Sequence, residues 1–232
     1  MRIDKLLSSL NYGSRKEIGK AVKKYGIIVN DQLVKDAKLQ VDPINDTIVF
    51  LDELLYYSDS VLLMMNKPSG YECSHNPQHH QSIYELIDEK YNRLNVNTVG
   101  RLDQDTTGLI LFTNDGQFLH QITSPKKEVF KVYLVTVDKP FENSEILASD
   151  YTLTDHQNRP YNPQNVSVKK IDDLHFELSI HEGKYHQVKE MCKHFGYTVV
   201  NLHRLKIGDL DCSDLDLGEV REITKKERKL LV

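Results

Sequence analysis

The chain has 232 residues, 39% of them hydrophobic and 28% charged, with a formal net charge of −4. This composition supports a buried core, and no apolar run approaches the ~20 residues that a membrane helix needs. Charges also interrupt the apolar residues of the opening MRIDKLLSSL, so no secretory signal and no membrane association are expected, and a cytoplasmic protein is. Three cysteines, Cys73, Cys192 and Cys212, are odd in number and far apart. Without a C-x-x-C they argue against a disulfide framework and against structural zinc.

The net charge hides an asymmetry. Residues 1–40 hold nine Lys and Arg against four acids, which leaves the other 192 residues at −9. A basic N-terminal module on an acidic body is the pattern of a nucleic-acid-binding arm.

In chain order, residues 2–10 read as an amphipathic helix with Ile3, Leu6, Leu7 and Leu10 on one side. Ser14 and Glu17 form a capping box for a second helix, whose apolar stripe is Ile18, Ala21, Val22 and Tyr25. Lys16, Lys20 and Lys23 fall on the opposite stripe, and Gly26 ends the helix. Short strands follow at 27–30, 32–34 and 47–51, with Asn30-Asp31 as a turn. Together these make a module over residues 1–55. Residues 52–60 read as a linker to a second domain over residues 60–232.

In that second part VLLMM is a buried strand, and NKPSGYECS is a turn carrying Lys67, Pro68 and Gly70. Ser82 and Glu85 cap a helix SIYELIDEKY. LILFT at 109–113 is a strand, NDG a turn and QFLHQIT a short helix. FKVYLVTV alternates, with Phe130, Val132 and Leu134 on one side and Lys131, Tyr133 and Val135 on the other. LHFELSI at 174–180 is another strand. GKYHQVKEMCKHFG turns helical around Val188, Met191, Cys192 and Phe195, and residues 197–208 return as a strand. The fold class is α+β with a mostly antiparallel sheet.

Four groups of residues bear on chemistry. Lys16, Lys20 and Lys23, with Arg2, Lys5 and Arg15, are either phosphate contacts or a solvated helix face. In GRLDQDTTG, Asp103 and Asp105 are i and i+2. They are an acid–base pair for glycosidic cleavage, or one nucleophile beside a turn residue, or an Asx-turn network with Thr106 and Thr107. Lys131 and Tyr133 are either a cross-strand aromatic with a snorkelling lysine or a stacking ring with a cation near phosphate. In HEGKYHQVKEMCKH, the residues His181, His186, Cys192 and His194 match no zinc spacing, so no metal is expected. Lys184 and Lys189 instead form a basic lip, where a lysine keeps a nearby carboxylate ionised.

These motifs together resemble the pseudouridine synthases of the RsuA branch. Residues 1–50, with their R-x-D-K-L-L and G-S-R stretches, look like the small RNA-binding domain of ribosomal protein S4. NKPSGYECS resembles the family's first motif, GRLDQDTTGLILFTNDG its catalytic motif, KVYLV its tyrosine-bearing strand and EGKYHQVKEM its basic segment. LHRLKIGDLDCSDLDLGEVREIT resembles the usual tail. The resemblance implies Asp103 as the catalytic aspartate, Tyr133 as the ring that packs on the target base, Lys189 as the aspartate's basic partner and Arg101 as support for base flipping. Asp105 takes a structural or substrate-positioning role. The expected RNA-binding residues are Arg2, Lys5, Arg15, Lys16, Lys20, Lys23, Lys67, Lys131 and Lys184.

The implied reaction isomerises a uridine. It changes no oxidation state and imports no group, so no cofactor is expected. The implied partner is ribosomal RNA, in a partly assembled small subunit, bound by a monomer. The T-T-G-L ending and the segment from His120 to Pro125 are closer to the 16S rRNA branch, with a 516-type target, than to the 23S relatives. A pseudouridine synthase acting on 23S rRNA is the alternative, and a non-catalytic rRNA-binding assembly protein a further one.

Overall fold

The protein was analysed as a computed structural model that describes residues 1–231; Val232, the end of the second expected domain, lies outside the described residues. The chain forms two compact units. One comprises Met1–Val61 with Ile87–Asn97, and the other comprises Leu62–Leu86 with the chain from Thr98 onward. No helix among the described residues is long and apolar enough to cross a membrane.

In the first unit, helix α1 (Ile3–Ser9) buries Ile3, Leu6 and Leu7, and helix α2 (Arg15–Tyr25) buries Ile18 and Val22. Ser14 and Glu17 make the predicted capping box at the start of α2. Tyr25 departs from the expected apolar stripe: its ring is 56% exposed, with the Lys24 ammonium 4.5 Å from its centroid. Strands β1 (Ile27–Val29), β2 (Gln32–Val34), β3 (Ile48–Phe50) and β4 (Glu53–Leu54) form an antiparallel sheet in the order β2–β1–β3–β4. Asn30 and Asp31, at φ 49° and 65°, make the tight turn between β1 and β2.

The expected linker over 52–60 instead begins inside this sheet. Leu51 and Asp52 take positive φ and turn β3 back into β4. A leucine is a poor signal for such a turn, which is why the sequence does not flag it.

The helix predicted over SIYELIDEKY also splits. A 3-10 turn covers Ile83–Leu86, and Asp88 caps a separate helix α3 (Glu89–Asn92) by accepting from the Lys90 amide. The break separates the two units. Arg93 holds the 87–97 segment to the first one: its guanidinium lies 4.1 Å from the Tyr12 ring centroid and pairs with Glu53 at 3.4 Å. Asn11 adds a 2.8 Å hydrogen bond to Asn95.

The second unit is built on one large sheet. Its strands are β5 (Leu62–Lys67), β9 (Thr107–Thr113), β10 (Lys131–Val137), β13 (Ser167–Lys170), β14 (His175–Ile180), β15 (Val199–Ile207), β16 (Leu210–Asp211) and β17 (Val220–Glu222). The order is β13–β14–β10–β15–β9–β5–β17, with β16 paired to β15. Only the β15–β9 contact on this path is parallel, so the sheet is mixed and mostly antiparallel, as the strand pattern predicts. Two small pairs, β6 (Tyr71–Glu72) with β7 (Gln81–Ser82) and β11 (Leu153–Thr154) with β12 (Pro160–Tyr161), lie apart from it. The two-residue strand β8 (Asn97–Thr98) is where the chain returns to this unit.

Leu62 through Met65 are all buried because both faces of β5 are covered. One face packs, through Met64, Leu109 and Leu111, on Phe118 and Ile122 of helix α4 (Gly116–Thr123). Asp115 caps that helix by accepting from the amides of Gln117 and Phe118. Helix α5 (Gln187–His194) buries Val188, Met191 and Cys192, and burial pushes the Cys192 thiol up to about 12.

Gly108 makes the parallel contact possible. It sits at φ 99°, opposite Arg204, and a Cβ there would strike the Arg204 backbone oxygen and lie 2.7 Å from its nitrogen. Gly108→Ala therefore combines a left-handed φ with a backbone collision. The expected loss is about 2–5 kcal/mol of stability, read as a lower urea midpoint. An unchanged midpoint contradicts so close an approach of β9 and β15.

Candidate active site

The loop that feeds β9 carries the acidic motif. Gly100 starts it at φ 76°, and the Thr106 amide donates to the Asp103 carbonyl at 3.1 Å to close a turn. Lys67 holds this turn from beneath. Its ammonium donates to the carbonyls of Pro68, Gln104 and Thr106 at 3.0, 3.2 and 2.9 Å. Its side chain is fully buried, so it cannot serve as the phosphate contact expected from sequence. Burial lowers its pKa, and the charges of Cys73, Asp105 and Asp103 oppose that shift.

The carboxylates at 103 and 105 reach out of their turn. They meet Lys189, which α5 presents from the other side. Its Nζ lies 2.9 Å from Asp103 Oδ2 and 2.7 and 3.0 Å from the two oxygens of Asp105. Asp105 also bonds to its own backbone amide, so a local turn contact and the shared lysine coexist there. The imidazole of His186 completes the cluster, with Nε2 3.3 Å from Asp103 Oδ1. The Asp103 side chain is 28% exposed and that of Asp105 54% exposed.

Electrostatics in the cluster are mutual. Burial acts to lower the Lys189 pKa, but hydrogen bonds and charge from Asp105 and Asp103 outweigh it and raise the pKa overall. Burial likewise acts to raise Asp105, and the hydrogen bond and charge of Lys189 hold it below its ordinary value of 3.8.

Two connected cavities open around this cluster. The outer, of about 810 Å³, is lined by Arg101, Asp103, Asp105, Lys184, Tyr185 and His186 among others. The inner, of about 80 Å³, shares Arg101, Asp103, Lys184, His186 and Lys189 with it, and adds Tyr133, Ile180, Val188 and Leu202. Those four are nearly buried. Asp103 therefore lines both cavities, and the smaller one sets its charged groups against the Tyr133 ring. The structure brings together Asp103, Lys189, Tyr133 and Arg101, and it puts Lys184 on the same wall with its ammonium 4.3 Å from the Tyr161 ring centroid.

Lys131 is a second correction. It shares the Tyr133 side of β10 as the alternation predicts, but that side faces inward. Its ammonium donates to the His181 carbonyl at 2.9 Å, and burial, together with the charge of Arg204, pushes its pKa down to about 8. It is neither a snorkelling lysine nor a phosphate contact. His181 and Cys192 are also buried, and no metal-holding group of three or more His, Cys, Asp or Glu occurs among the described residues.

Two site residues were missed in the sequence. His186 was weighed only as a metal ligand. Arg204 is 3% exposed, donates from Nε to the Leu109 carbonyl at 2.7 Å and reaches the Tyr133 hydroxyl at 3.5 Å. Its sequence signal is an arginine two residues after the buried Leu202, on the same side of the strand.

In the first unit, Lys5, Arg15, Lys16, Lys20 and Lys23 are exposed and Arg2 is half-buried. Arg2 and Arg15 both pair with Asp4, at 2.7 and 2.9 Å. Burial acts to raise the Asp4 carboxyl, and hydrogen bonds from Arg15 and Arg2 outweigh it.

The RNA pseudouridylate synthase family matches residues 61–194, which include Asp103, Asp105, Tyr133, His186 and Lys189, and the S4 domain matches residues 1–48. The chain belongs to the RNA pseudouridylate synthase family. It is 39% identical to "Ribosomal small subunit pseudouridine synthase A" of Haemophilus influenzae, covering 100% of both chains. It is 37% identical to the RNA pseudouridine synthase YtzG of Bacillus subtilis, over 100% of this chain and 98% of that one. A crystal structure of a pseudouridylate synthase superposes with a TM-score of 0.68 at 38% identity, covering 100% of both chains.

In this pseudouridine synthase the depressed Asp105 pKa gives a sign to its pH dependence. The stabilisation it carries is present above the unfolded-state value and is lost as pH falls through the lower folded one. Lys189→Met removes the cation and leaves the burial, so the Asp105 titration moves upward, as ¹³C NMR of the side-chain carboxyl would record. An unmoved titration contradicts the assignment of Lys189 as the cause.

Proposed function

We propose that the chain converts one uridine of small-subunit 16S ribosomal RNA, of the 516 type, into pseudouridine. Asp103 acts as the catalytic carboxylate. The observation that carries this reading is the position of Asp103: it pairs with Lys189 at 2.9 Å and lines a chamber that Tyr133 also walls. The names of the full-length relatives support the small-subunit target.

The chemistry suits these groups. The N1–C1′ bond breaks, the uracil turns, C5 bonds to C1′, and the proton on C5 is lost as N1 regains one. A nucleotide must leave its stack to present C1′ to a carboxylate inside the cleft. Tyr133 packs on the extruded base, and Arg101 at the cavity rim holds the displaced backbone. An ionised carboxylate serves either as nucleophile at C1′ or as the group that stabilises a glycal-forming step. Lys189 sets a positive charge against Asp103, and Asp105 shares that ammonium and fixes its place. The first unit is the RNA-binding arm. Its exposed Lys5, Arg15, Lys16, Lys20 and Lys23, with Arg2, supply sequence-independent phosphate contacts. The enzyme acts as a cytoplasmic monomer on RNA of a partly assembled subunit.

The test is tritium release from [5-³H]uridine-labelled 16S and 23S rRNA. The wild type releases tritium from 16S rRNA, and Asp103→Asn releases none while its RNA affinity stays within about threefold, because a neutral isostere keeps the surface but not the charge. Asp105→Ala retains measurable release. Normal turnover by Asp103→Asn removes the assignment. Release from 23S rRNA alone moves the target to the large subunit, and no release at all favours a binding protein.

A further inference from the structure

We propose that Tyr185, backed by His186, is a stacking platform for a nucleobase next to the target uridine, an inference that rests on the functional reading above. The Tyr185 ring is 58% exposed on the wall of the outer cavity. One face is occupied: the His186 ring lies parallel to it, with centroids 3.8 Å apart and planes 19° apart. His156 makes only an inclined contact at 6.0 Å and 62°, and with one face stacked, an exposure of 58% requires that much of the other face be open. A lone exposed tyrosine is ordinary. A tyrosine stacked on a second ring and turned to a cleft is a π-surface built for a flat partner, and every nucleobase has one.

The backbone holds this pair in place. His186 sits at φ 52°, a left-handed conformation that a non-glycine residue adopts at a cost. That conformation lets one short segment carry both rings at the start of α5. Gln187 ties the segment down, accepting from the Lys184 amide at 3.1 Å and donating to Glu182 at 2.6 Å. The same His186 ring reaches Asp103 at 3.3 Å. The platform is thus one aromatic ring removed from the reacting carboxylate. A base on its free face lies beside the nucleotide at Asp103 and not in its place, since the inner chamber is walled by a different ring, Tyr133.

The experiment uses short RNAs carrying the target uridine with 2-aminopurine on its 5′ or its 3′ side. Binding to the full-length wild type quenches 2-aminopurine at one of the two positions. Tyr185→Phe preserves that quenching and binds within about twofold of the wild type. Tyr185→Ala loses it, and its half-saturating RNA concentration rises roughly 5- to 150-fold, the range measured for base–aromatic stacking. Replacing the quenched nucleotide by an abasic one weakens the wild type by a similar factor and Tyr185→Ala hardly at all. Equal quenching and affinity for Tyr185→Ala overturns the platform. So does a Phe variant as weak as the Ala variant, since the hydroxyl and not the ring face would then be in use. If the wild type binds and quenches but releases no tritium from any rRNA, the functional reading falls while the stacking result stands.

Discussion

One ammonium group organises the catalytic unit. Lys189 Nζ is the common partner of Asp103 and Asp105, and it joins a loop to a helix 84 and 86 residues away in the chain. Two carboxylates so near one another repel and favour protonation of one of them. A single cation between them offsets that repulsion and holds the Asp105 carboxyl below its ordinary value. The arrangement also gives them different tasks. Asp103 is the more buried and faces the chamber, whereas Asp105 is more than half exposed and anchors the lysine.

The rest of the unit keeps the two sides of this contact in register. Beneath the loop, Lys67 spends its three donors on the carbonyls of Pro68, Gln104 and Thr106, so a buried charge is satisfied without a counter-ion and the backbone around Asp103 is fixed. Behind the chamber, Arg204 binds the Leu109 carbonyl and approaches Tyr133, linking three strands of the sheet. Its backbone can come that close to β9 only because residue 108 has no side chain. The motif glycine and the buried arginine are therefore parts of one device: the first admits the strand that carries the second.

Much of this was legible in the sequence, for physical reasons that differ from place to place. Alternation in 130–137 put Tyr133 and Lys131 on one side of a strand, and the acidic motif before an apolar strand marked the loop. Periodicity does not say which side is buried when a lysine and a tyrosine share it, so Lys131 reads as a surface cation. Lys67 failed for a related reason: its acceptors at Gln104 and Thr106 lie almost forty residues away. Positive charge is a good guide to phosphate only when the charge reaches solvent, as it does for Lys16, Lys20 and Lys23. The place of Ile87–Asn97 in the first unit was hidden because Arg93, Tyr12 and Glu53 meet only in three dimensions. His186 drew attention for the wrong chemistry, since its contact with Asp103 depends on a left-handed backbone that nothing in its identity announces.

The account stands on the Asp103–Lys189 pair being the reacting centre of the enzyme. The most direct measurement is the single-turnover rate of tritium release at saturating RNA for Lys189→Met beside Lys189→Arg. Loss of the cation should slow the step about a hundredfold or more, while the arginine variant, which retains a charge able to reach Asp103, keeps most of the rate. A methionine variant that turns over as fast as the wild type would contradict it.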